Sequence, residues 1–419
     1  MSFFFRCFPK YQPRVEPHSE TKTDWPYFPF LRIPVKVKHR VFDYLSPFDL
    51  ISYSLCTDYT RNMVKVYRAR RKFEKDCKLF KLCFYPQFQR IVLQFEERPN
   101  TYWQFIQNYE VCDRDWNPDK KVLDSVNVPT WTPEVTKTIL LGSSVANEDT
   151  PAVTFHNIYF YSDYLVSVIT KFFHYICELY NHPDRLLSLD MDCHFIDKLL
   201  TFYHENEPME YWALQSAGTI SDTLLRASFD RQNATKGMFF KCKASSKFIY
   251  DMSKLENIKE RLDIYHCLWI KLTDVFELKS RNIALLGTKW YSEELRLLVT
   301  KWREGWNPKW KQIVIEFNLH CLNVAHCFAE ESTMIPSIRN KKLIDVNSSV
   351  KLYKFKEIQR MRGRNFEING FHIVRNDGEV ATVYSTLQSI GVFSIQCKES
   401  DRFEFEFHRA LYLPRGIWN

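Results

Sequence analysis

The side chains most capable of chemistry in this sequence stand in two short groups. The segment HCLNVAHC, residues 320–327, is the one concentration of metal-capable cysteine and histidine. Paired zinc ligands usually follow C-x-x-C or H-x-x-x-H spacings, and this segment has neither, so we expect ordinary thiols and imidazoles and no metal. Residues 190–194 also hold two carboxylates, a thiol and an imidazole, but the two acids occupy alternating strand positions. Neither group predicts a site.

Motifs for other kinds of catalysis are also missing. The chain has only 10 glycines, and it contains no G-x-x-x-x-G-K, G-x-G-x-x-G or G-x-S-x-G, which would bring backbone close to a phosphate or expose a nucleophile. A cysteine and a histidine brought together only by folding stay possible, because catalytic partners need to be close only in space. We therefore expect a non-catalytic protein without a cofactor.

Composition bounds the architecture and the compartment. With 419 residues, 45% hydrophobic content and 34 phenylalanines, the chain can form two or more domains, or a small module with a long array. Its 12 cysteines form no C-x-x-C pair, and no apolar stretch has the length of a signal peptide or membrane span. We expect reduced thiols, no membrane, and an intracellular location, cytoplasmic and/or nuclear.

The net charge of +8 is concentrated in two stretches, residues 65–81 and 339–364. Such stretches are typical of nucleic-acid patches or of contacts with acidic partners. In the first stretch, however, apolar residues alternate with the charges, which favours a solvated helix face. A nucleic-acid-binding protein and a scaffold protein are the alternatives to the function developed below; we do not expect a nucleic-acid partner.

Residues 28–68 carry the clearest helical pattern. Pro29 and Pro34 predict an extended entry and a helix from about Pro34. Ser46 and Pro47 predict the end of that helix and the start of a second, and a third is expected from Thr57 or Asp58. The first helix is expected to bury one stripe and turn four polar residues mostly the other way: Val37, Val41, Phe42 and Leu45 against Lys36, Lys38, His39 and Arg40. Three short helices bury little surface by themselves, so we expect another surface to cover them.

The same segment resembles an F-box, the module that docks on the Skp adaptor of Skp–cullin–F-box ubiquitin ligases. Leu31 and Pro34 stand where the leucine and proline of F-boxes recur. SPFDL at 46–50 and ISYSLC at 51–56 match the turn between helices and the second helix. The resemblance implies seven residues in the adaptor-docking surface or its supporting core: Leu31, Pro34, Val37, Val41, Leu45, Leu50 and Leu55.

From about residue 150, short β-rich runs alternate with helical patterns. From residue 186 onward these runs begin 17 to 29 residues apart, close to the period of leucine-rich α/β solenoids, with one strand and one return helix per unit. The predicted strands are 152–162, 186–192, 209–217, 236–243, 265–272, 282–287 and 310–317. The predicted helices are 164–180, 194–205, 220–229 and 292–305.

The passage 285–355 resembles the type 2 F-box-associated domain of nematode F-box proteins. That pattern is a helix ending in a lysine/tryptophan pair, a glycine and an Asn-Pro turn, followed by an apolar strand. Ser292 is the predicted cap of this helix and Gly305 its predicted end. GFHIVRNDGEVATV, 370–383, fits the end of such chains, and it predicts a β-hairpin that turns on residues 376–378.

Alternation along the predicted strands separates a buried row from an open one. The inward residues should pack on the helices, and the outward residues are the candidate surface for a protein substrate, although an ordinary solvated sheet face would show the same pattern. Ser188 and Tyr211 belong to the outward rows. The candidate substrate-binding residues are Asp190, Asp192, Gln215, Lys241, Lys243, Gln312 and Glu316.

Together these patterns predict an α/β fold: an N-terminal three-helix F-box followed by an irregular leucine-rich-repeat-like α/β solenoid and a C-terminal β-hairpin region. The predicted function is substrate recognition in a Skp–cullin–F-box ubiquitin ligase, with the Skp adaptor, the cullin core and an unknown protein substrate as partners. The predicted division is a tail at 1–27, the F-box at 28–72, a connecting region at 73–150, the repeats at 151–284, the F-box-associated domain at 285–355 and a β-rich segment at 356–419.

Overall fold

The chain folds as a mixed α/β protein with two compact units, residues 1–187 and 188–419. The part of the chain that the computed structural model describes contains eight α-helices and fifteen strands. The described residues are 33–70, 77–95, 98, 100–108, 135–140, 152–159, 165–182, 184–206, 208–317, 350–361, 364–375, 377–387 and 390–395.

Three short helices open the described part of the first unit: α1 (Val35–Phe42), α2 (Pro47–Ser54) and α3 (Asp58–Arg70). As the sequence predicts, Ser46 caps α2: its hydroxyl accepts from the Asp49 amide at 3.2 Å, and the Asp49 carboxylate accepts from the Ser46 amide at 3.1 Å. Thr57 and Thr60 exchange the same pair of bonds at the start of α3. Pro34 is the N-cap of α1, so the helix begins at Val35, one residue later than predicted. The Pro34 carbonyl accepts the first helical bonds.

Helices α2 and α3 pack on five hydrogen-bonded strands of the first unit. These strands are β1 (Cys77–Phe84), β2 (Phe88–Phe95), β3 (Thr101–Asn108), β4 (Val135–Leu140) and β5 (Ala152–Tyr159), in the order β1-β2-β3-β5-β4. β3 and β5 are parallel and the other neighbours are antiparallel. Helix α4 (Leu165–Leu179) closes the core, where Phe105 lies edge-on between Phe48 of α2 and Phe172 of α4.

The helix predicted for the basic stretch 65–81 does not extend over all of it. Helix α3 ends at Arg70, and residues 77–84 form β1. CKLFKLCF alternates between two faces, but both faces are covered: Phe80 and Leu82 are buried, and so are Lys81 and Cys83. Burial of both faces removes the period-two signal by which a strand is recognised in sequence.

The second unit begins inside β6 (Leu186–Asp190) and repeats a strand followed by a helical return. The later strands β7 (Tyr211–Thr219), β8 (Gly237–Lys243), β9 (Arg261–Tyr265), β10 (Asn282–Leu286) and β11 (Gln312–Glu316) are parallel neighbours. The returns are α5 (Ile196–Glu205), α6 (Asp222–Arg231), a 3-10 turn at Met252–Leu255, α7 (Leu272–Glu277) and α8 (Ser292–Arg303).

The register of these strands aligns their inward residues in continuous rows. One row consists of Trp212, Met238, Leu262, Ile283 and Ile313, and the next of Leu214, Phe240, Ile264, Leu285 and Ile315. Every member is buried. The predicted inward parity of β7, β8 and β11 is therefore confirmed.

Polar side chains fasten each return to the one before it. The Asn233 side-chain amide donates to the carbonyl of Tyr203, that of Asn257 to the carbonyl of Ala234 at 2.7 Å, and the Ser280 hydroxyl to the carbonyl of Ile258 at 2.8 Å. These bonds satisfy carbonyls that helix ends leave without partners. They join consecutive helical returns along one side of the sheet, and we name Asn233, Asn257 and Ser280 with these bonds the side-chain ladder.

Four antiparallel strands complete the second unit: β12 (Val350–Met361), β13 (Arg364–Arg375), β14 (Val380–Leu387) and β15 (Ile390–Ile395). β15 pairs with β11, so the parallel strands and the C-terminal strands form one sheet. The predicted hairpin is confirmed: β13 and β14 pair around a turn in which Gly378 has φ +82.

Two predictions about the repeats are wrong. Strand β9 lies at 261–265, before the predicted 265–272, because the apolar residues that follow it line a buried loop with Cys267 and Trp269 inside. Ser292 is the first residue of α8 and Tyr291 its cap, with the Tyr291 amide donating to the Glu294 carboxylate. Gly305 ends the helix as predicted, at φ +103.

Candidate functional site

The outer face of α1 is an exposed apolar surface in the first unit. Val37 keeps 46% of its surface exposed and Tyr44 keeps 86%. Exposed Pro34 just before the helix and half-buried Val41 within it lie on the same side, and Tyr44 continues that side two residues after the helix ends, at spacings of three, four and three residues. We name Pro34, Val37, Val41 and Tyr44 the α1 stripe.

The inner face of α1 explains why the stripe points outward. Phe42 is buried between Tyr53 of α2 and Tyr67 of α3, at ring distances of 5.3 and 5.1 Å. Lys38, one turn earlier, is only 2% exposed, and its ammonium group lies 3.4 Å from the Tyr59 hydroxyl. The prediction that Lys38 stands with the polar residues is therefore wrong: its stem packs inward and its charge reaches a polar edge.

The three helices are supported from within their own unit by α4. The Tyr175 hydroxyl donates to Ser54 of α2 at 2.7 Å. Arg61 of α3 lies over the ring of Tyr175 at 5.0 Å, and Arg68 lies over that of Tyr180 at 4.3 Å. The covering surface that the sequence predicts is thus supplied in part by the chain itself, at α2 and α3, and it leaves the α1 stripe open.

The predicted adaptor-docking residues fall into three groups. Pro34 and Val37 are exposed, while Val41, Leu45 and Leu55 are half-buried. Leu50 is only 4% exposed, so its place is in the supporting core. Leu31 lies outside the described residues. Tyr44, which follows the end of α1 and is the most exposed member of the α1 stripe, was missed, although its spacing of three residues from Val41 was readable from the sequence.

The first basic stretch is not an open cationic face where the structure describes it. Lys65 forms an ion pair with Glu178 of α4, Arg68 is buried against Tyr180, and Lys81 is buried in β1. These charges are used inside the first unit. The second basic stretch lies in residues whose side chains are outside the described part.

The open sheet face of the second unit carries the predicted substrate residues. Gln215 pairs with Lys241, and Thr219 pairs with Lys243, all on the outward side near the carboxyl ends of the strands. Lys241, Lys243 and Asp192 are exposed, and Asp190, Gln215 and Glu316 are half-buried. The structure therefore brings six of the seven predicted residues to the same end of the sheet: five lie on or just after the consecutive strands β6, β7 and β8, and Glu316 lies on β11, three strands beyond β8.

Two outward residues do not form part of an open surface. Gln312 lies at the opposite end of β11 from Glu316 and is buried, and Ser188 is buried in β6. Alternation along a strand predicts which way a side chain points, but it does not predict what lies over it. The prediction of an open position is wrong for these two.

Hydrogen bonds hold the carboxylates at this end of the sheet. Asp192 accepts from the Ser216 hydroxyl at 2.9 Å and from the Ala217 amide at 3.1 Å. Asp190 accepts from the Asp192 amide at 3.0 Å, and Glu316 accepts from the Gly287 amide at 2.8 Å. Burial raises the pKa of Asp190 above its ordinary value, and the bond from the Asp192 amide acts against that rise.

A second cluster on the outward face was missed by sequence reasoning. Arg261 binds Asp263 through two nitrogens and lies over the Phe239 ring at 5.1 Å. Tyr211 covers Gly237, where a Cβ would lie 2.5 Å from the Tyr211 ring. Only the register between β7, β8 and β9 brings these residues together. That register cannot be read from any local sequence pattern.

Comparisons with known proteins identify no relative: no family model, curated protein or solved structure matches the chain. Among the described residues, no group of three or more His, Cys, Asp or Glu side chains could hold a metal ion. HCLNVAHC lies outside those residues. The described helices include none with the length and hydropathy required to span a bilayer.

Proposed function

We propose that this chain is a substrate-recognition subunit of a Skp–cullin–F-box ubiquitin ligase. Helices α1–α3 would be its F-box and would bind the Skp adaptor. The second unit would be a leucine-rich-repeat-like solenoid that binds a protein substrate. The chain would be non-catalytic, because a receptor accelerates ubiquitin transfer by holding the substrate at high effective concentration.

The α1 stripe is the observation that supports this proposal. The eight-residue helix α1 buries Phe42 and Lys38 within the unit and leaves Val37 open, and Tyr44 just after the helix is also exposed. Exposed apolar surface beside a packed core is typical of a protein-binding site. The stripe also contains Pro34, Val37 and Val41, which the F-box resemblance had assigned to adaptor docking or its support.

The experiment is capture of the chain by a purified Skp adaptor, with Val37→Glu as the test variant. A carboxylate forced into an apolar interface without a partner costs several kcal/mol, so we expect the variant to lose adaptor binding at micromolar concentrations. Since Val37 is 46% exposed, the variant should keep the wild-type circular dichroism spectrum and melting temperature. Tyr44→Ala should weaken capture in the same direction.

Leu297→Glu is the matched control, because Leu297 is a helix residue with 45% exposure on α8 of the second unit. It should bind the adaptor like the wild-type chain. Equal capture of the Val37 and Leu297 variants, or failure of the wild-type chain to bind, would contradict the proposal. Capture should also change little between low and high salt, whereas nucleic-acid binding through the basic stretches would weaken steeply.

A further inference from the structure

Three exposed side chains lie at the carboxyl ends of the paired strands β8 and β9: Lys241, Lys243 and His266. The two lysines are two residues apart on β8 and share its outward face. The carbonyl of Lys243 accepts from the Ile220 amide at 3.0 Å, which holds the end of β8 beside the start of α6. His266 follows β9 directly.

Among the residues that the structure describes, no acidic side chain pairs with the lysine charges of this cluster. Within the described residues, neither ammonium group forms a hydrogen bond or an ion pair. The carboxylates of the same sheet end are engaged elsewhere, since Asp190, Asp192 and Glu316 each accept from a backbone amide. In the described part of the chain, backbone amides thus hold the three carboxylates, while the Lys241 and Lys243 side chains are exposed.

The backbone and the electrostatics at His266 set it apart as well. Its φ is +58, and Asn181 is the other non-glycine residue with a positive φ in the described part of the chain. Strained backbone of this kind concentrates at functional sites. The pKa of His266 is lowered by partial burial and then by the charges of Lys243 and Lys241, and the Glu316 carboxylate acts against that lowering. At neutral pH the imidazole is therefore an uncharged hydrogen-bonding group.

We infer that Lys241, Lys243 and His266 bind an extended acidic segment of a polypeptide. Side chains two residues apart on a strand are about 6.6 Å apart, and so are two acidic side chains at alternate positions of an extended peptide. Each lysine can then pair with one carboxylate in a charge-assisted bond. This inference rests on the proposed function, in which the acidic segment belongs to the substrate.

The neighbouring acids favour a peptide over a nucleic acid. Asp190 and Glu316 lie at the same end of the sheet, and a nucleic-acid backbone carries a phosphate at every nucleotide. Such a backbone would place negative charge against these carboxylates as well as against the lysines. A peptide can place acids opposite Lys241 and Lys243 and neutral residues opposite Asp190 and Glu316.

The test uses the full chain and a fluorescein-labelled ten-residue peptide of alternating Glu and Ser, followed by fluorescence anisotropy. We expect the wild-type chain to bind this peptide, and the Lys241→Glu, Lys243→Glu variant to bind it about tenfold or more weakly, because two charge-assisted bonds are lost. The matched control is Lys309→Glu with Lys311→Glu: both lysines are exposed, two residues apart, and lie just before β11 at the opposite end of the parallel strands. The control changes the net charge equally and should bind like wild type.

Several results would overturn the inference. They are no binding by the wild-type chain, equal losses in the two charge-reversal variants, equal binding of a Gln/Ser peptide, and tighter binding of a ten-nucleotide oligo-dT that the Lys241 and Lys243 changes abolish. If charge reversal alters the circular dichroism spectrum, Lys241→Gln with Lys243→Gln replaces it. The Lys241, Lys243 variant should still bind the Skp adaptor, and Val37→Glu should still bind the peptide, so failure of this inference and failure of the proposed function are distinguishable.

Discussion

At the scale of single residues, Arg375 at the end of β13 connects the two passages that resemble an F-box-associated domain. Its guanidinium donates to the carbonyl of Trp302 at 2.9 Å, to the Asn307 side chain at 2.9 Å and to the Asp377 carboxylate at 2.7 Å. It also lies over the Trp302 ring at 4.6 Å. One buried cation therefore joins the C-terminal hairpin to the end of α8 and to the turn that follows it.

We expect Arg375→Lys to destabilise the second unit by about 2 kcal/mol or more, because lysine lacks the planar fork and leaves buried acceptors unpaired. Urea unfolding followed by tryptophan fluorescence measures the change. Arg296→Lys is the control, since Arg296 is more exposed and pairs with Glu293 one turn away on α8. It should unfold like wild type. A comparable loss in both variants would show that the Arg375 contacts are not special.

His372 on β13 makes the second unit sensitive to acid. The residue is buried, its Nδ1 lies 2.9 Å from the Thr382 hydroxyl, and burial lowers its pKa from 6.5 to about 4. The unfolded chain binds a proton at this position more readily than the folded chain does between those two values. The contribution of neutral His372 is therefore fully present above pH 6.5 and is lost as pH falls toward 4.

We expect about 3 kcal/mol of this stability to disappear between pH 6.5 and 4, at about 1.4 kcal/mol per pKa unit. His372→Gln retains an amide for Thr382 and does not titrate, so its stability should depend less on pH. The difference between the two unfolding free energies, measured across that interval, isolates this residue from the other titrating groups. Parallel pH profiles for wild type and variant would refute the expectation.

At the scale of elements, α1 and the side-chain ladder show opposite uses of a helix surface. α1 buries Phe42 against α2 and α3 and leaves the α1 stripe exposed. In the second unit, side-chain hydrogen bonds connect each helical return to the one before it. Asn257 is central in that ladder: its side-chain nitrogen donates to Ala234 and to the Gln232 side chain, at 2.7 and 3.1 Å. Asn257, which follows β8 in the chain, thereby provides hydrogen-bond partners for Gln232 and Ala234, which precede β8.

Replacing Asn257 by Ala should cost about 1–3 kcal/mol, because the carbonyl of Ala234 and the amide of Gln232 each lose a partner. Chemical unfolding of the full chain measures the change. Asn282→Ala is the matched control: its side chain also donates to a preceding carbonyl, that of Glu260, but the bond is 3.3 Å long and exposed. The control should lose much less, and equal losses would show that burial of the Asn257 bond is unimportant.

At the scale of the whole molecule, the chain separates two surfaces of different chemistry into two units. The first unit presents the apolar α1 stripe, and the second presents Lys241, Lys243 and His266 at one end of a parallel sheet. Apolar docking is suited to one constant partner, while charge recognition adds specificity for particular segments. This separation is the arrangement that a receptor with an adaptor and a variable substrate requires.

Much of the element order was readable from the sequence, and the reason is local. Ser46, Pro47 and Asp49 begin α2 through contacts within four residues, and the apolar spacing of α4 and α8 needs no distant partner. The inward parity of β7, β8 and β11 follows from alternation alone. Errors came where burial is two-sided, as at β1, or where a buried loop is as apolar as a strand, as at residues 265–272.

The sequence by itself determined most of the helices and the repeat of strand and helical return, because caps, periodicity and alternation act over a few neighbours. Only the tertiary structure decided that Lys38 points inward, that Leu50 and Gln312 are covered, and that Arg375 reaches Trp302. It also brought His266 to Lys241 and Lys243. These outcomes depend on contacts between residues distant in the chain, and the register and packing that create them have no local signature.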